Sequence, residues 1–265
     1  MEAMVGITDV QGKANALYEA RRNRVAIAPF TEADPTLGMA DGYAVQSELV
    51  RLILADGDRI VGYKAGLTSK PMQTLLGVDQ PDYGPVLGST VYKDGDAISV
   101  SQFIQPKVEA EIVLVLGDEL RGPGITIDDA RRAVAGAAAA MEIVDSRFAD
   151  WRIKLCDTVA DMASNGAVAI SENVVPLDGI DLRLIGMVIS RDGALIDTGA
   201  GAAALGNPLA VLAWLANALA TADIALEPDH LIMTGALHAA VSMAPGEEYL
   251  AEFDRLGSIG IRVIE

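Results

Sequence analysis

The run Pro106-Lys107-Val108-Glu109-Ala110-Glu111-Ile112-Val113-Leu114-Val115-Leu116 constrains this chain more than any other stretch. Its apolar residues fill both alternating sets, Val108, Ala110, Ile112 and Leu114 on one and Val113 and Val115 on the other. A strand apolar on both faces is buried on both faces. Glu109 and Glu111 enter it on one face, with Cα atoms roughly 6.5–7 Å apart. Taken alone, such a pair also fits the solvated edge of a half-buried strand. Inside a buried strand the carboxylates must be paired, protonated or bound to a cation, because an isolated buried carboxylate is very costly. The spacing suits one divalent cation held between them.

With 265 residues, 51% of them hydrophobic, the chain can bury a substantial core as one large domain or a main domain with a smaller companion. A formal charge of -17 argues against nucleic acid or anionic membrane as partners, since both attract basic surfaces. An anionic substrate would have to be received by local positive charge, a lysine or a bound cation. Cys156 is the single cysteine, so no intramolecular disulfide forms. The N-terminal residues lack a basic stretch followed by an apolar run, and a reducing cytoplasm is the expected compartment. No histidine lies near Cys156 in sequence, which favours a buried structural thiol over a nucleophile. The apolar stretches Ala133 to Ala140 and Leu209 to Ala220 are too short or too rich in small residues to span a bilayer. A soluble protein is expected.

Periodicity divides the chain near residue 60. Residues 1–60 read as mainly helical, with an amphipathic segment at Ala14 to Arg24, a connection around Pro29 and Pro35, and Tyr43, Leu49, Leu52 and Ile53 at helical spacing. Residues 61–265 read as a β-rich domain, its first short run beginning at Ile60 (Ile60 to Ala65) and others at Gly88 to Tyr92, Val108 to Leu116, Met141 to Val144 and Ala167 to Ile170. Two helices interrupt it. Thr126-Ile127-Asp128-Asp129 resembles a capping box, and Asn207-Pro208 offers an N-cap followed by proline at the first helical position. Met187 to Ser190 and Ala194 to Thr198 flank Arg191-Asp192-Gly193, a hairpin signal. Further strands are expected at Leu231 to Thr234, Tyr249 to Phe253 and Ser258 to Ile264. Regular βαβ alternation and a Gly-rich phosphate loop are both missing, so the fold class is α+β with mixed and antiparallel strands.

Several ordered motifs then point to a family. Gly62-Tyr63-Lys64-Ala65-Gly66-Leu67-Thr68-Ser69, Gly77-Val78-Asp79-Gln80-Pro81-Asp82-Tyr83-Gly84, Glu109-Ala110-Glu111, Glu142-Ile143-Val144-Asp145-Ser146-Arg147, Asp150-Trp151 and Asp157-Thr158-Val159-Ala160-Asp161 lie in register. Leu205-Gly206-Asn207-Pro208, Thr234-Gly235 and Leu256-Gly257-Ser258 extend the match over nearly the whole chain. Together they resemble the 2-hydroxypenta-2,4-dienoate hydratase and 4-oxalocrotonate decarboxylase family, within the fumarylacetoacetate hydrolase superfamily. The resemblance implies a mixed β-roll core after an N-terminal helical region. It implies Mg²⁺ or Mn²⁺ bound by Glu109, Glu111 and Glu142, an all-oxygen set that suits a hard cation better than zinc. It places Lys64 and Asp82 in catalysis, with Asp79 as a nearby competitor for the acidic role, and Ser164 and Thr234 against substrate. Gly62 and Gly66, flanking Lys64, would let a ligand approach the backbone. It also implies a homo-oligomer and association with a pathway aldolase or decarboxylase.

The implied reaction is metal-dependent addition of water to a 2-hydroxy-2,4-dienoate, giving a 4-hydroxy-2-oxo acid in aromatic meta-cleavage catabolism. Decarboxylation of 4-oxalocrotonate needs the same electron sink and is the alternative; a non-catalytic metal-binding subunit is a second. Carbon–carbon hydrolysis needs a histidine to activate water, and only His230 and His238 exist, both late in the chain. The chain departs from the family in two places. Met162 stands where an asparagine is common, and His238-Ala239-Ala240 follows Leu237 where substrate subtypes differ. His238 itself is expected at the surface or in packing.

Overall fold

The computed structural model describes residues 9–70, 73–74 and 78–265. Gly77, the first residue of one family motif, lies outside them. The helices α1 (Val10–Asn23), α2 (Phe30–Ala33) and α3 (Met39–Ala55) come first. Leu17 of α1 and Val45, Leu49 and Ile53 of α3 pack with Leu87, Phe148 and Met162, so the helical region shares a core with the segments that carry the site.

One sheet has the order β2-β1-β10-β5-β6-β7-β3, and a short β11 also pairs with β5. Its strands are β1 (Ile60–Gly66), β2 (Asp82–Leu87), β3 (Val91–Lys93), β5 (Lys107–Leu116), β6 (Val134–Val144), β7 (Asn165–Ile170), β10 (Leu231–Met233) and β11 (Val241–Ser242). A second sheet has the order β4-β13-β12-β8-β9, built from β4 (Ala97–Ser99), β8 (Gly186–Arg191), β9 (Ala194–Ala200), β12 (Glu248–Phe253) and β13 (Gly257–Ile264). The β8–β9 hairpin turns through Asp192 at φ 53° and Gly193 at φ 77°, the positive pair that a tight two-residue turn requires.

Further along the chain lie α4 (Ile127–Ala133), α5 (Leu155–Ala160) and α6 (Pro208–Leu219). Thr126 and Asp129 cap α4 reciprocally, and the Asn207 side chain accepts from Leu209 N at the start of α6. α6 is apolar because it is interior: Leu209, Val211, Leu212, Leu215 and Leu219 join the main core with Ile112 and Leu114 of β5 and Phe253 and Ile261 of the second sheet.

β5 is buried on both faces, as its composition requires. Val108, Ala110, Ile112 and Leu114 face the main core, while Val113 joins Val86, Ala138, Ala140, Val168 and Met233 in a small cluster on the other face. Glu109 and Glu111 stand on that second face. β6 is longer than the expected Met141 to Val144 because the alanine run before it is also strand. Alanine has a weak strand preference, but here small side chains are what the packing admits: a Cβ on Gly136 would lie 2.7 Å from Val174 Cγ1. Asp82–Leu87 likewise forms a strand that its motif had masked, and Gly88 to Thr90 is a 3₁₀ turn before β3 rather than part of it.

Candidate metal centre and its cavity

The β5–β6 register sets Glu109 directly across from Glu142 and Glu111 across from Ala140. The small Ala140 side chain leaves room above the strand for the three carboxylates to converge. One oxygen from each of Glu109, Glu111 and Glu142 lies within 4.8 Å of the others. Glu111 and Glu142 are buried, and Glu109 is half-buried at the edge of a cavity of about 450 Å³. Glu111 Oε2 accepts from Gly235 N at 2.8 Å, and Glu142 Oε1 accepts from Asn165 Nδ2 at 3.2 Å. Glu142 Oε2 is buried without a protein partner. Three converging carboxylates with an unsatisfied buried oxygen, and no sulfur or nitrogen ligand among them, fit a hard divalent cation.

Lys64 reaches this cluster from β1. Its Nζ lies 3.0 Å from Glu142 Oε1 and donates to Ala163 O at 2.7 Å. Burial opposes the ammonium, but Glu142, then Asp82, Glu109 and Glu111, outweigh it and hold the amine above its ordinary range. Asp82 is aligned across the strand pair from Gly66 and is pushed up to about 6 by burial, with Lys64 opposing. Its Oδ1 has no partner, and its Oδ2 lies 3.5 Å from Thr158 Oγ1, which in turn is 3.4 Å from Ser164 Oγ. Burial and Glu142 push Glu109 up to about 7, and Glu111 is raised well above the carboxylate range by burial, Glu142 and Glu109.

Of the glycines around Lys64, Gly62 makes room for the protein's own backbone, while Gly66 makes room for Asp82 and lines the cavity. A Cβ on Gly62 would lie 1.9 Å from Leu231 O, and one on Gly66 would lie 2.2 Å from Asp82 Oδ1. Opposite Lys64, a Cβ on Gly84 would lie 2.2 Å from Met162 O. That close approach meets a strained segment: Met162, Ala163 and Ser164 all have φ between 53° and 56°, a conformation costly for side chains of this kind. Arg147 clamps it from beneath. Its N and Nε donate to Asp161 Oδ2 and Oδ1 at 2.9 and 2.5 Å, its Nη2 donates to Asp161 O at 3.0 Å, and Asp145 N donates to Ser164 O at 2.9 Å.

Lys64, Asp82, Ser164, Glu109, Glu111 and Glu142 therefore line one cavity. Thr234 does not line it. Its hydroxyl donates to Ile112 O at 2.7 Å inside the sheet, and the neighbouring Gly235 presents its backbone to Glu111 instead. Asp79 is exposed and lines a different cavity with Gln80, Pro81 and Trp214, so position favours Asp82 for the acidic role. Cys156 is buried, with its thiol pushed up to about 12 by burial and Asp157, in keeping with a structural role. His230 Nδ1 accepts from Glu227 N in a turn. His238 is half-buried, its ring packed against β5 through Ala110 N, and it also lines the cavity, together with Lys107, Trp151 and Thr158, whose roles single-residue reading could not supply.

Comparison with known proteins agrees with this geometry. Residues 64–264 match the family model for the C-terminal region of fumarylacetoacetate (FAA) hydrolase. A 2-keto-4-pentenoate hydratase of Paraburkholderia xenovorans is 41% identical over 93% of this chain and 91% of its own. A 2-hydroxyhexa-2,4-dienoate hydratase of Comamonas testosteroni is 37% identical over 97% of this chain and 98% of its own. Among solved structures, 4-oxalocrotonate decarboxylase from Pseudomonas putida, complexed with magnesium and adipate, superimposes with a TM-score of 0.95 at 35% identity, covering 99% of this chain and 100% of that one. The chain belongs to the fumarylacetoacetate hydrolase superfamily and, within it, to the group that holds these hydratases and the decarboxylase.

Proposed function

We propose that this chain is a divalent-cation-dependent hydro-lyase that adds water to a 2-hydroxy-2,4-dienoate and yields a 4-hydroxy-2-oxo acid. The observation that carries the reading is the convergence of Glu109, Glu111 and Glu142 beside the buried Lys64, in a chain 41% identical to a hydratase. Glu109, Glu111 and Glu142 would hold the cation. When bound, it supplies positive charge where the oxygens of a 2-oxo acid gather electron density.

The remaining chemistry falls to the chain. Conversion of the dienol to the 2-oxo-3-enoate moves one proton from the 2-hydroxyl and delivers one to C5; hydration then adds the water oxygen at C4 and a proton at C3. Asp82, with a carboxyl near neutrality, is suited to take up and return these protons. Lys64 is held as an ammonium and is suited to donate hydrogen bonds to developing negative charge rather than to act as a base. Ser164 and Thr158, at the loose chain running to Asp82, are suited to guide the water. Val144 and Ile153 supply apolar wall.

Decarboxylation of 4-oxalocrotonate is the second reading, favoured by the structural match at TM-score 0.95. The names of the relatives at 37–41% identity favour hydration. Mg²⁺ or Mn²⁺ as the cation, a cytoplasmic homo-oligomer and contact with a pathway aldolase or decarboxylase complete the proposal. Light scattering behind size exclusion checks the oligomer.

The test of the metal requirement is the ultraviolet decay of 2-hydroxypenta-2,4-dienoate. Decay with Mg²⁺ or Mn²⁺, its loss in EDTA and its return on adding the cation are expected; decay unaffected by EDTA would contradict the reading. A second expectation follows from the raised carboxyls. The cation needs Glu109 and Glu111 ionised, so binding displaces protons and affinity rises with pH through the window around 7. Calorimetric titration at pH 6 and pH 8 should show affinity at least about tenfold weaker at pH 6. Equal affinities would remove the crowding of the carboxylates from the account.

A further inference from the structure

Four buried side-chain polar atoms among the described residues lack a well-formed hydrogen bond: Asp82 Oδ1, Glu142 Oε2, Asn165 Oδ1 and His238 Nδ1. Asp82, Glu142 and His238 line the cavity, and Asn165 bonds to Glu142, so the unsatisfied groups gather at one place. Three are acceptors beside Lys64 and the candidate metal centre. His238 is different. Its Nε2 accepts from Ala110 N at 2.8 Å, filling the gap between β10 and β11 along the edge of β5. With Nε2 acting as the acceptor, the neutral ring carries its proton on Nδ1. Nδ1 is thus a donor without a well-formed hydrogen bond, only the Ala239 carbonyl lying near it, and a ligand that satisfies it must bring an acceptor.

Lys107 stands three residues before Ala110, on the same face of β5 as Glu109 and Glu111. Its Nζ lies 4.3 Å from the centroid of the Trp151 ring and makes no ion pair with any described residue. Lys64, the other lysine lining the cavity, is bound to Glu142 and Ala163. In a chain of charge -17, an ammonium on an aromatic face within a cavity, offset only by the field of Glu109 on the same strand face, can receive an anion. Val144, Ile153, Ala239 and Ala240 also line the cavity, and Lys107 is aligned with Val144 and with Ser242, just past Ala240. The strand advances ~3.3 Å per residue, which sets Lys107 roughly 7 Å from Glu109 and ~13 Å from Glu111 along β5. That span is several carbon–carbon bonds.

We propose that Lys107 and the Nδ1–H of His238 recognise a second carboxylate at the end of the substrate remote from its 2-oxygen. The preferred substrate is then a 2-hydroxy-2,4-dienedioate, whose chain crosses the apolar wall and whose distal carboxylate meets both donors. An alkyl tail of the same length would leave the two donors desolvated with nothing to accept from them. The inference rests on the hydratase reading for its turnover arm but not for its binding arm.

The experiment compares kcat/KM for 2-hydroxyhepta-2,4-dienedioate with that for the equally long 2-hydroxyhepta-2,4-dienoate. A methylene separates the distal carboxylate of the first from the diene, so loss of CO₂ does not compete. The dienedioate should be favoured at least about tenfold. Lys107→Met and His238→Phe should each reduce that ratio severalfold, mainly through KM, and Lys107→Arg should retain most of it. A ratio of one or below, or a ratio that neither variant changes, would overturn the inference. Calorimetry on the cation-loaded protein with saturated heptanedioate and heptanoate gives the independent reading. Tighter binding of the diacid, weakened by Lys107→Met, supports the second-carboxylate end even if no dienoate is hydrated, whereas equal binding of the two acids overturns it. Failure to hydrate every dienoate tested, including 2-hydroxypenta-2,4-dienoate, would instead bring down the hydratase reading.

Discussion

Lys64→Met is expected to lower kcat by about 10³-fold while the protein remains folded and able to bind its cation. The side chain is 4% exposed and spends its hydrogen bonds on the site, so methionine preserves the bulk and removes the donor. Glu142 would then be a buried carboxylate without a positive neighbour, which argues for measuring the variant with the cation present. Cation affinity should hold or rise, because Lys64 no longer competes for Glu142 Oε1. Turnover and calorimetric titration on the same preparation check both halves. Normal turnover would remove Lys64 from the mechanism, and loss of cation binding would make it a structural support of the centre.

Arg147→Met is expected to destabilise the fold by about 3–5 kcal/mol, because it strands a carboxylate that was buried only in company. Arg147 is 2% exposed and Asp161 1%, and three hydrogen bonds join them. Even in the intact pair Asp161 is pushed up to about 6, by burial acting against Arg147. Without the guanidinium its carboxyl rises further. A group whose folded value lies above the unfolded value of ~3.9 takes up a proton on folding, so the variant's penalty is greatest at pH 7 to 8 and shrinks as pH falls. Asp161→Asn in the same chain should recover part of the loss by removing the stranded charge. The clamp also holds Met162 to Ser164 in their left-handed conformations, so the variant should lose activity at temperatures where it is still folded. Urea unfolding of the single and double variants at pH 5.5 and 7.5 checks this; a single variant within about 1 kcal/mol of the parent would show that the pair does not hold the segment.

The site was legible where chemistry and period coincide. Glu109 and Glu111 could be placed on one face because strand side chains alternate, and a doubly apolar strand told that this face was buried. Glu142 could not be read that way, since it becomes a third carboxylate only through the β5–β6 register, a contact 33 residues away in sequence. It came from the family pattern. The hairpin at Asp192-Gly193 and the caps at Thr126 and Asn207 were legible because each is a local hydrogen-bonding or φ requirement. The alanine strand of β6 was not, because its conformation is imposed by packing that leaves room only for small side chains. His238 shows the same limit. A lone histidine reads as packing, and its cavity-lining position follows from how residues 234–240 leave the sheet between β10 and β11 to meet Ala110. Thr234 shows the reverse, a family-placed polar residue whose hydroxyl is taken up by Ile112 O.

The most direct test of the central claim is the identity of the product. The cation-loaded enzyme is given 2-hydroxypenta-2,4-dienoate and, separately, 4-oxalocrotonate, with chromatographic analysis of each mixture and collection of CO₂. The expected product of the first is 4-hydroxy-2-oxopentanoate. Loss of CO₂ from 4-oxalocrotonate with no water added to the dienoate would contradict the hydratase reading and make the cation centre that of a decarboxylase.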